Sequence, residues 1–118
     1  MRSKPAPMNQ ESYDVYNPAD GSLVGSVPAG TYDDVNNAVS IAWEAFRSWS
    51  QTDPLDRSKL LFSAAQLIRA DQKDLARLLT REQGKALRES MNEVAGFARV
   101  LEYYASISGT MHGDYGLS

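Results

Sequence analysis

The sequence contains no cysteine and a single histidine. Without cysteine, the chain cannot form disulfides or thiolate metal sites, and it cannot supply a cysteine nucleophile. One histidine is too few for a metal centre built from several imidazoles. A histidine-dependent catalytic triad would rest on His112, which lies in a glycine-rich tail and is interpreted as a solvated loop residue.

The chain also lacks an excess of positive charge and any long apolar run. Acidic residues number 15 and basic residues 12, a formal net charge of -3, so nucleic acid is not an expected partner. No stretch reaches the roughly 18 consecutive apolar residues of a spanning helix, and residues 1–12 lack the apolar core of a signal peptide. We predict a cytoplasmic protein with no membrane partner.

What the sequence does have is the composition of one globular domain, with 118 residues, 42% of them hydrophobic and 23% charged. Residues 1–12 are polar and carry two prolines, so a loose leader is predicted there. Residues 13–118 are predicted to form a single, partial domain. A hairpin over about 13–28 is followed by about four helices to residue 108 and a glycine-rich tail at 109–118.

The hairpin is indicated by two short runs of strand-forming residues on either side of Asp20-Gly21. Glycine adopts a positive φ without a Cβ clash, so Asp-Gly between apolar segments is a strong hairpin signal. The predicted fold class is therefore mainly α with an N-terminal β-hairpin.

Capping residues mark the helix starts. Thr31 is placed to cap the amide of Asp34, Asp53 precedes a proline at the first helical position, and Asp71 is predicted to cap a third helix. Behind these caps, apolar residues recur at three- and four-residue steps, which places them on one face of each helix. The residues are Val35, Ala38, Val39, Ala42, Phe46 and Trp49 in the first helix; Leu60, Leu61, Ala64, Leu67 and Ile68 in the second; Leu75, Leu78 and Leu79 in the third; and Leu87, Met91, Val94, Ala98, Leu101 and Ala105 in the fourth.

The segment Glu82-Gln83-Gly84-Lys85 has two interpretations. Gly84 stands where a left-handed C-cap residue belongs, and Lys85 would be a cation near the negative end of the helix dipole. The alternative is a catalytic lysine, but so short a pattern is unspecific, and the glycines form no phosphate-binding loop. We predict a turn between two helices.

Two groups of aromatic residues stand out. Trp43, Phe46 and Trp49 lie at helical spacing, where an aromatic cage for a ligand is one interpretation and packing in a core or between helices is the ordinary one. Tyr103 and Tyr104 point to different sides of their helix, so at least one is expected to face another surface.

Several short motifs occur in a fixed order over about residues 13–113. They are Asn17-Pro18 with Gly21 and Pro28, Phe46 with Trp49, Pro54 with Arg57, and Glu82 with Gly84 and Lys85. The ordered set resembles the opening of the NAD(P)-dependent aldehyde dehydrogenase superfamily, whose pattern there includes NP-x-x-G, F-x-x-W, P-x-x-x-R and E-x-GK. Arg57 lies near the position of the family arginine. An ordered set is far more specific than any one of its members.

The resemblance implies the N-terminal helical part of the family's α/β fold, truncated before the dinucleotide-binding sheet. In this family the cysteine nucleophile, the glutamate base, the asparagine that holds the oxyanion and that sheet all lie downstream. No catalytic and no cofactor-binding residue is therefore assigned to this chain. The intact enzyme would use NAD or NADP, and neither is expected to bind this chain alone. The implied partners are the rest of the dehydrogenase chain or another subunit, and a homo-oligomer is expected for the intact enzyme.

One candidate metal site also follows from the resemblance. Some family members bind a monovalent cation through backbone carbonyls just before the NP turn and an acidic side chain in the turn that ends in GK. The corresponding positions are Val15 and Tyr16 for the carbonyls and Glu82 for the carboxylate. Oxygen ligands suit a hard cation. The alternative is that Glu82 is a solvated or helix-pairing carboxylate.

Three functional hypotheses follow. The first is an N-terminal fragment of an aldehyde dehydrogenase, inactive alone, whose intact enzyme converts aldehydes to carboxylic acids with NAD(P)+. The second is a stand-alone helical interaction module that pairs with itself or with a dehydrogenase subunit through an exposed apolar strip. The third is a remnant without function, which predicts poorly cooperative folding.

Overall fold

A computed structural model describes residues 11–110. Two strands, β1 (Ser12–Tyr16) and β2 (Leu23–Pro28), are followed by four helices and a 3-10 turn at Ser108–Thr110. The helices are α1 (Tyr32–Trp49), α2 (Pro54–Ala70), α3 (Gln72–Gln83) and α4 (Leu87–Ile107). The predicted fold class, mainly α with an N-terminal β-hairpin, is confirmed. Most of the predicted leader, and the tail with His112, lie outside the described residues.

The two strands pair antiparallel along the whole of β1. Their register shifts once, because Val15 faces Gly25 whereas the next residue, Tyr16, faces Leu23. Val24 is therefore an extra residue in β2, the arrangement of a β-bulge, which bends the strand locally. The bulge lies beside the two residues predicted to offer carbonyls to a cation.

Hydrogen bonds within the loop hold the hairpin turn at residues 17–22. The Gly21 amide donates to the Asn17 carbonyl at 2.8 Å, and the Asn17 side chain accepts from the Ala19 amide at 3.0 Å. Asp20 accepts from the amide and hydroxyl of Ser22 at 2.9 and 2.7 Å. Gly21 has a φ of +72°, so the predicted Asp-Gly turn is confirmed within a loop longer than two residues.

Helix α4 packs against both α2 and α3 through small side chains. Two of the buried residues are serines, and both are hydrogen-bonded, as buried polar groups require. The Ser58 hydroxyl donates to the Ala105 carbonyl at 2.7 Å, and the Ser90 and Thr80 hydroxyls are 2.8 Å apart. The buried residues of these helices are Ser58, Ala65, Ala76, Ser90, Val94, Ala98 and Ala105.

A charged pair also joins α2 to α4. The Arg69 guanidinium donates from Nε and Nη2 to the two carboxylate oxygens of Glu102 at 2.8 and 2.7 Å. This bidentate contact holds the pKa of Glu102 below its usual value and raises that of Arg69. Both side chains remain at least a third exposed, so solvent screens the interaction.

Two expectations for α2 and α3 are wrong. Leu60 and Leu67 were predicted on the apolar side of α2 but are 55% and 67% exposed, because the buried side of α2 carries smaller residues such as Ala65. Asp71 occupies the N-cap position of α3, as predicted, but its side chain makes no capping bond there. It is the only residue between α2 and α3, and its amide still donates to the Leu67 carbonyl at 3.0 Å, so it closes α2.

The predicted starts of α1 and α2 are confirmed. The Thr31 hydroxyl accepts from the Asp34 amide at 3.2 Å, while the Asp34 carboxylate accepts from the Thr31 amide at 2.9 Å, which completes a capping box. At the start of α2, Asp53 accepts from the Leu55 amide at 2.7 Å. Local side-chain to backbone bonds therefore set both helix boundaries.

No residue of α1 is buried, and no other element within residues 11–110 packs extensively against it. Trp43 and Phe46 stack with ring centroids 5.6 Å apart, and they are 66% and 51% exposed. The expectation that these aromatics pack in a core or between helices is wrong for this part of the chain, where nothing covers them. The α1 apolar face is defined here as Val35, Val39, Ala42, Trp43, Phe46 and Trp49.

Tyr103 and Tyr104 lie on α4 with their rings in an edge-to-face contact, the centroids 5.4 Å apart. Both are exposed. The expected contact of at least one of them with another surface stays a prediction.

Candidate functional site

The candidate site lies where α3 ends and the hairpin turn approaches it. Gly84 has a φ of +72° and a ψ of 6°, and its amide donates to the Thr80 carbonyl at 2.8 Å. This is the left-handed C-cap conformation, which glycine adopts most readily because it has no Cβ. The predicted turn between α3 and α4 is confirmed.

The hairpin turn contacts this glycine directly. A Cβ added to Gly84 would lie 2.6 Å from Cγ of Pro18, closer than real Cβ contacts allow. Gly84 is thus required both by its backbone conformation and by the proline packed on it. The NP turn and the GK turn, 66 positions apart in the chain, form one contact.

Asp20 adds an electrostatic link between the same two segments. Hydrogen bonds from the Ser22 hydroxyl and amide lower the pKa of Asp20, and the positive charge of Arg81 in the last turn of α3 lowers it further. Asp20 is fully exposed, so its attraction to Arg81 is screened by solvent. The main contact between turn and helix is the packing of Pro18 on Gly84.

Lys85 turns toward α4. Its ammonium group forms an ion pair with the Glu93 carboxylate, and only 25% of the Lys85 side chain is exposed. The pair ties the residue after the C-cap to the second turn of α4. The arrangement gives Lys85 a structural role, in agreement with the interpretation of this segment as a turn.

The predicted cation ligands lie on elements that contact each other, β1 and α3. Val15 is half-buried, whereas Tyr16 and Glu82 are exposed. The Tyr16 hydroxyl donates to Asp14 at 3.1 Å, and this hydrogen bond, with the charge of Asp14, raises the pKa of Tyr16. The Glu82 carboxylate forms no hydrogen bond or ion pair with the side chains of residues 11–110.

The donor set of this site is chemically suited to a hard monovalent ion. Two backbone carbonyls and one carboxylate supply only oxygen ligands. The carbonyls are neutral, so the set carries a single negative charge, which matches a monovalent ion. In the part of the chain that the structure describes, no group of three or more acidic, histidine or cysteine side chains could hold a metal. Any site at this edge would therefore depend on the Val15 and Tyr16 carbonyls.

The only sheet within residues 11–110 has two antiparallel strands. Dinucleotides in open α/β folds bind at the carboxyl ends of parallel strands, next to a glycine-rich turn that starts a helix. None of the helices in this range has the length and apolar character that crossing a bilayer requires.

The contact of Pro18 with Gly84 and the link from Asp20 to Arg81 were missed in the sequence. The available signal was the presence of two turn motifs, NP-x-x-G and E-x-GK, each with a glycine at a fixed position. Such motifs predict local backbone conformation. They carry no information on which turn packs against which.

Sequence comparisons identify relatives along nearly the whole chain. The family model described as the aldehyde dehydrogenase family matches residues 6–117. D-glyceraldehyde dehydrogenase (NADP(+)) of Picrophilus torridus is 38% identical over 104 residues, which cover 88% of this chain and 21% of that protein. Malonate-semialdehyde dehydrogenase of Lacticaseibacillus casei is 40% identical over 100 residues, which cover 85% of this chain and 20% of that protein. The chain thus spans about one fifth of the length of these relatives.

The fold is also found in solved structures. A point mutant of betaine aldehyde dehydrogenase of Staphylococcus aureus, in complex with NAD+, matches with a TM-score of 0.87 and 31% identity, covering 94% of this chain and 23% of that one. Sequence and fold agree over the hairpin and the helices. The chain belongs to the aldehyde dehydrogenase family.

Proposed function

We propose that the chain is the N-terminal, mainly helical part of an aldehyde dehydrogenase and that it contributes scaffold rather than reacting groups. The observation that carries the proposal is the match of 94% of this chain to only 23% of a solved aldehyde dehydrogenase. The Pro18 contact with Gly84 and the packing of α4 on α2 and α3 are features of a scaffold, since they fix elements relative to one another.

The intact enzyme would oxidise an aldehyde to a carboxylic acid and pass hydride to NAD(P)+. The matched relatives are named for D-glyceraldehyde, malonate semialdehyde and betaine aldehyde. These names support an aldehyde as the substrate class of the intact enzyme. One relative is named for NADP(+) and one was solved with NAD+, so both cofactors stay open. We propose a cytoplasmic homo-oligomer for the intact enzyme, which cell fractionation and light scattering would test.

The chain alone is expected to be inactive. It has no cysteine to form the covalent intermediate, and the only sheet within residues 11–110 is a two-stranded antiparallel hairpin. Incubating the purified 118-residue chain with NAD+ or NADP+ and simple aldehydes should give no growth of the reduced-cofactor absorbance. Turnover that tracks the purified chain through chromatography would overturn this part of the proposal.

The decisive experiment measures the intact mass of the protein in its source cells. An antibody raised against this chain would recover it for mass spectrometry. A mass several times 13.0 kDa is expected, because the relatives are about four times as long. A mass near 13.0 kDa would contradict the proposal that this is part of a longer enzyme.

We further propose that the Val15 and Tyr16 carbonyls and the Glu82 carboxylate bind a monovalent cation. The support is the contact of β1 with α3, the bulge in β2 opposite Val15 and Tyr16, and the absence of another partner for Glu82 among residues 11–110. Binding to the folded state alone would raise the melting temperature in KCl or NaCl above that in choline chloride of equal ionic strength.

The matched variants for this test are Glu82→Gln and Glu89→Gln. Glu89 is an exposed carboxylate in the first turn of α4, so its loss changes the net charge equally. Glu82→Gln should abolish the cation-dependent stabilisation, and Glu89→Gln should keep it. Equal responses of the two variants would leave Glu82 as a solvated carboxylate.

A stand-alone interaction module is the second candidate function. The observation in its favour is the α1 apolar face, which nothing in residues 11–110 covers. Such a module would pair with itself or with a dehydrogenase subunit. Size-exclusion chromatography with light scattering would show a stable, monodisperse monomer if self-pairing is wrong.

A further inference from the structure

The hairpin turn contains the one Asp-Gly pair of the sequence, Asp20-Gly21, and the sequence has no Asn-Gly pair. At an Asp-Gly pair the glycine nitrogen attacks the aspartate side chain more readily than at other pairs, because glycine has no Cβ to hinder the approach. Asp20, Gly21 and Ser22 are all exposed, so water reaches this part of the main chain. The turn is therefore the place in this chain best suited to spontaneous rearrangement of the main chain.

The rearrangement passes through a cyclic imide. The Gly21 nitrogen forms a bond to Cγ of Asp20 and loses its proton, while the C–O bond of the protonated carboxyl group breaks and water leaves. Water then adds to one of the two imide carbonyls. Addition at the main-chain carbonyl leaves the chain running through Cγ, which is isoaspartate, whereas addition at Cγ restores aspartate. The water lost is regained, and no oxidant, reductant or cofactor takes part.

The folded turn holds both reacting groups in hydrogen bonds. The Gly21 amide donates to the Asn17 carbonyl at 2.8 Å, and the Asn17 amide donates to the Ser22 carbonyl at 2.8 Å. The Asp20 carboxylate accepts from the amide and hydroxyl of Ser22 at 2.9 and 2.7 Å. Attack requires the Gly21 amide to turn its nitrogen toward Cγ of Asp20, so these bonds must first break. The turn has to open locally before it reacts.

Ser22 also acts on the protonation of the carboxyl group. Asp20 must carry a proton for its hydroxyl to leave as water. The hydrogen bonds from the Ser22 hydroxyl and amide lower the pKa of Asp20, and the positive charge of Arg81 lowers it further. The folded turn therefore keeps Asp20 in the unreactive, ionised form.

We propose that Asp20-Gly21 is a modification site where isoaspartate forms when the hairpin turn opens, and that the hydrogen bonds from Ser22 to Asp20 set the rate. Isoaspartate adds a methylene group to the main chain of the turn that carries Pro18. A Cβ added to Gly84 would lie only 2.6 Å from Cγ of Pro18, so this close packing depends on the shape of the turn. The modification should loosen the contact of the hairpin with α3. An enzyme that methylates isoaspartyl carboxylates is the kind of partner that would recognise the product.

The experiment follows isoaspartate in the 118-residue chain at neutral pH, in buffer and in guanidinium chloride. Methylation by an isoaspartyl methyltransferase measures its amount, and radical fragmentation in a mass spectrometer locates it. The variants are Ser22→Ala and, as the matched control, Ser26→Ala. Ser26 is an exposed serine of β2 outside the turn, and its hydroxyl donates to Asp14.

In buffer we expect Ser22→Ala to form isoaspartate about five- to tenfold faster than wild type, the effect of one lost hydrogen bond on the opening of the turn. Ser26→Ala should match wild type. In denaturant all three chains should react at one rate, faster than wild type in buffer, because the turn no longer exists. Equal rates of Ser22→Ala and wild type in buffer would remove Ser22 as the controlling residue. Equal rates of wild type in buffer and denaturant would show that the turn gives no protection.

Gly21→Ala in denaturant tests the chemical route without any demand on folding. The added Cβ should slow isoaspartate formation at Asp20, because it hinders the approach to the nitrogen. Absence of isoaspartate at this position in the denatured wild-type chain would overturn the site itself.

The modified chain, separated from the unmodified one by ion-exchange chromatography, should unfold at a lower urea concentration. An unchanged midpoint would contradict the loosening of the Pro18 contact with Gly84. The reacting groups and the bonds that hold them lie within residues 17–22. These results are therefore distinguishable from a failure of the proposed function, which the endogenous mass tests.

Discussion

Helices α1 and α4 have similar lengths, 18 and 21 residues, and both have a clear apolar face, yet only α4 is packed. The better-capped helix is the unpacked one, because α1 begins with a capping box whereas α4 has no side-chain cap. Helix α4 instead buries four residues against its neighbours. The difference shows that local signals determine where a helix forms, whereas burial depends on what the rest of the protein supplies.

The largest expected loss of stability comes from a substitution at Gly84, in the packed part of the molecule. Gly84→Ala imposes a left-handed conformation on alanine and overlaps Pro18, so we expect a loss of about 2–4 kcal/mol of unfolding free energy. Gly21 has the same φ of +72° but nothing within 4 Å of an added Cβ, so Gly21→Ala should cost only about 1–2 kcal/mol. Urea denaturation followed by circular dichroism measures both. Equal losses would show that the Pro18 contact does not contribute.

A matched alanine pair tests the comparison between the two helices directly. Ala98 is fully buried in α4, so Ala98→Leu should overpack the site and cost about 1–3 kcal/mol. Ala42 lies on the α1 apolar face, so Ala42→Leu should change stability by no more than about 0.5 kcal/mol. The stability changes of both variants are measured from the midpoints of urea denaturation. Equal destabilisation would mean that α1 is packed in solution.

Two N-cap variants give a smaller effect of the same kind. Asp53→Ala removes the cap of packed helix α2 and should cost about 1 kcal/mol of global stability. Thr31→Ala removes the cap of α1 and should lower helical circular dichroism before unfolding while leaving the urea midpoint unchanged, since α1 unfolds locally. A midpoint shift for Thr31→Ala would show that α1 unfolds together with the other helices.

The smallest expected effect depends on pH. Arg69 lowers the pKa of Glu102 in the folded state, so the stabilisation is present above the ordinary glutamate pKa and is lost as pH falls through the lowered value. Glu102→Gln should therefore be less stable than wild type at pH 7 and equal to it in acid, with a difference that shrinks in high salt. Glu44→Gln on α1 is the control and should track wild type throughout. A pH-independent difference for Glu102→Gln would assign the effect to lost packing.

The elements of the fold were largely predictable from the sequence. Asp20-Gly21, Thr31, Asp53 and Gly84 each act through bonds or backbone conformations within a few residues, so their positions in the sequence are sufficient evidence. Asp71 shows the limit of such reasoning. Asp71 closes α2 and also occupies the N-cap position of α3, but its side chain makes no capping bond there, because α2 continues almost directly into α3.

Packing was less predictable because periodicity does not say which face is covered. Leu60 and Leu67 match the apolar pattern of α2 and are exposed, whereas Ser58 is buried and hydrogen-bonded to Ala105. Trp43 and Phe46 have the pattern of a core and remain uncovered. The close approach of Pro18 to Gly84 depends on how two distant segments meet, which no local pattern contains.

The short sequence separation of the packed contacts bears on the order of folding during synthesis. The buried bond from Ser58 to Ala105 spans 47 positions, so α2, α3 and α4 can pack as soon as they leave the ribosome. If the chain continues as its relatives do, the remaining four-fifths takes on the order of a minute to synthesise at about 5–20 residues per second. During that time the α1 apolar face stays uncovered, and transiently exposed apolar surface of this kind is prone to aggregation. The helix made first would then be among the last to reach its native contacts.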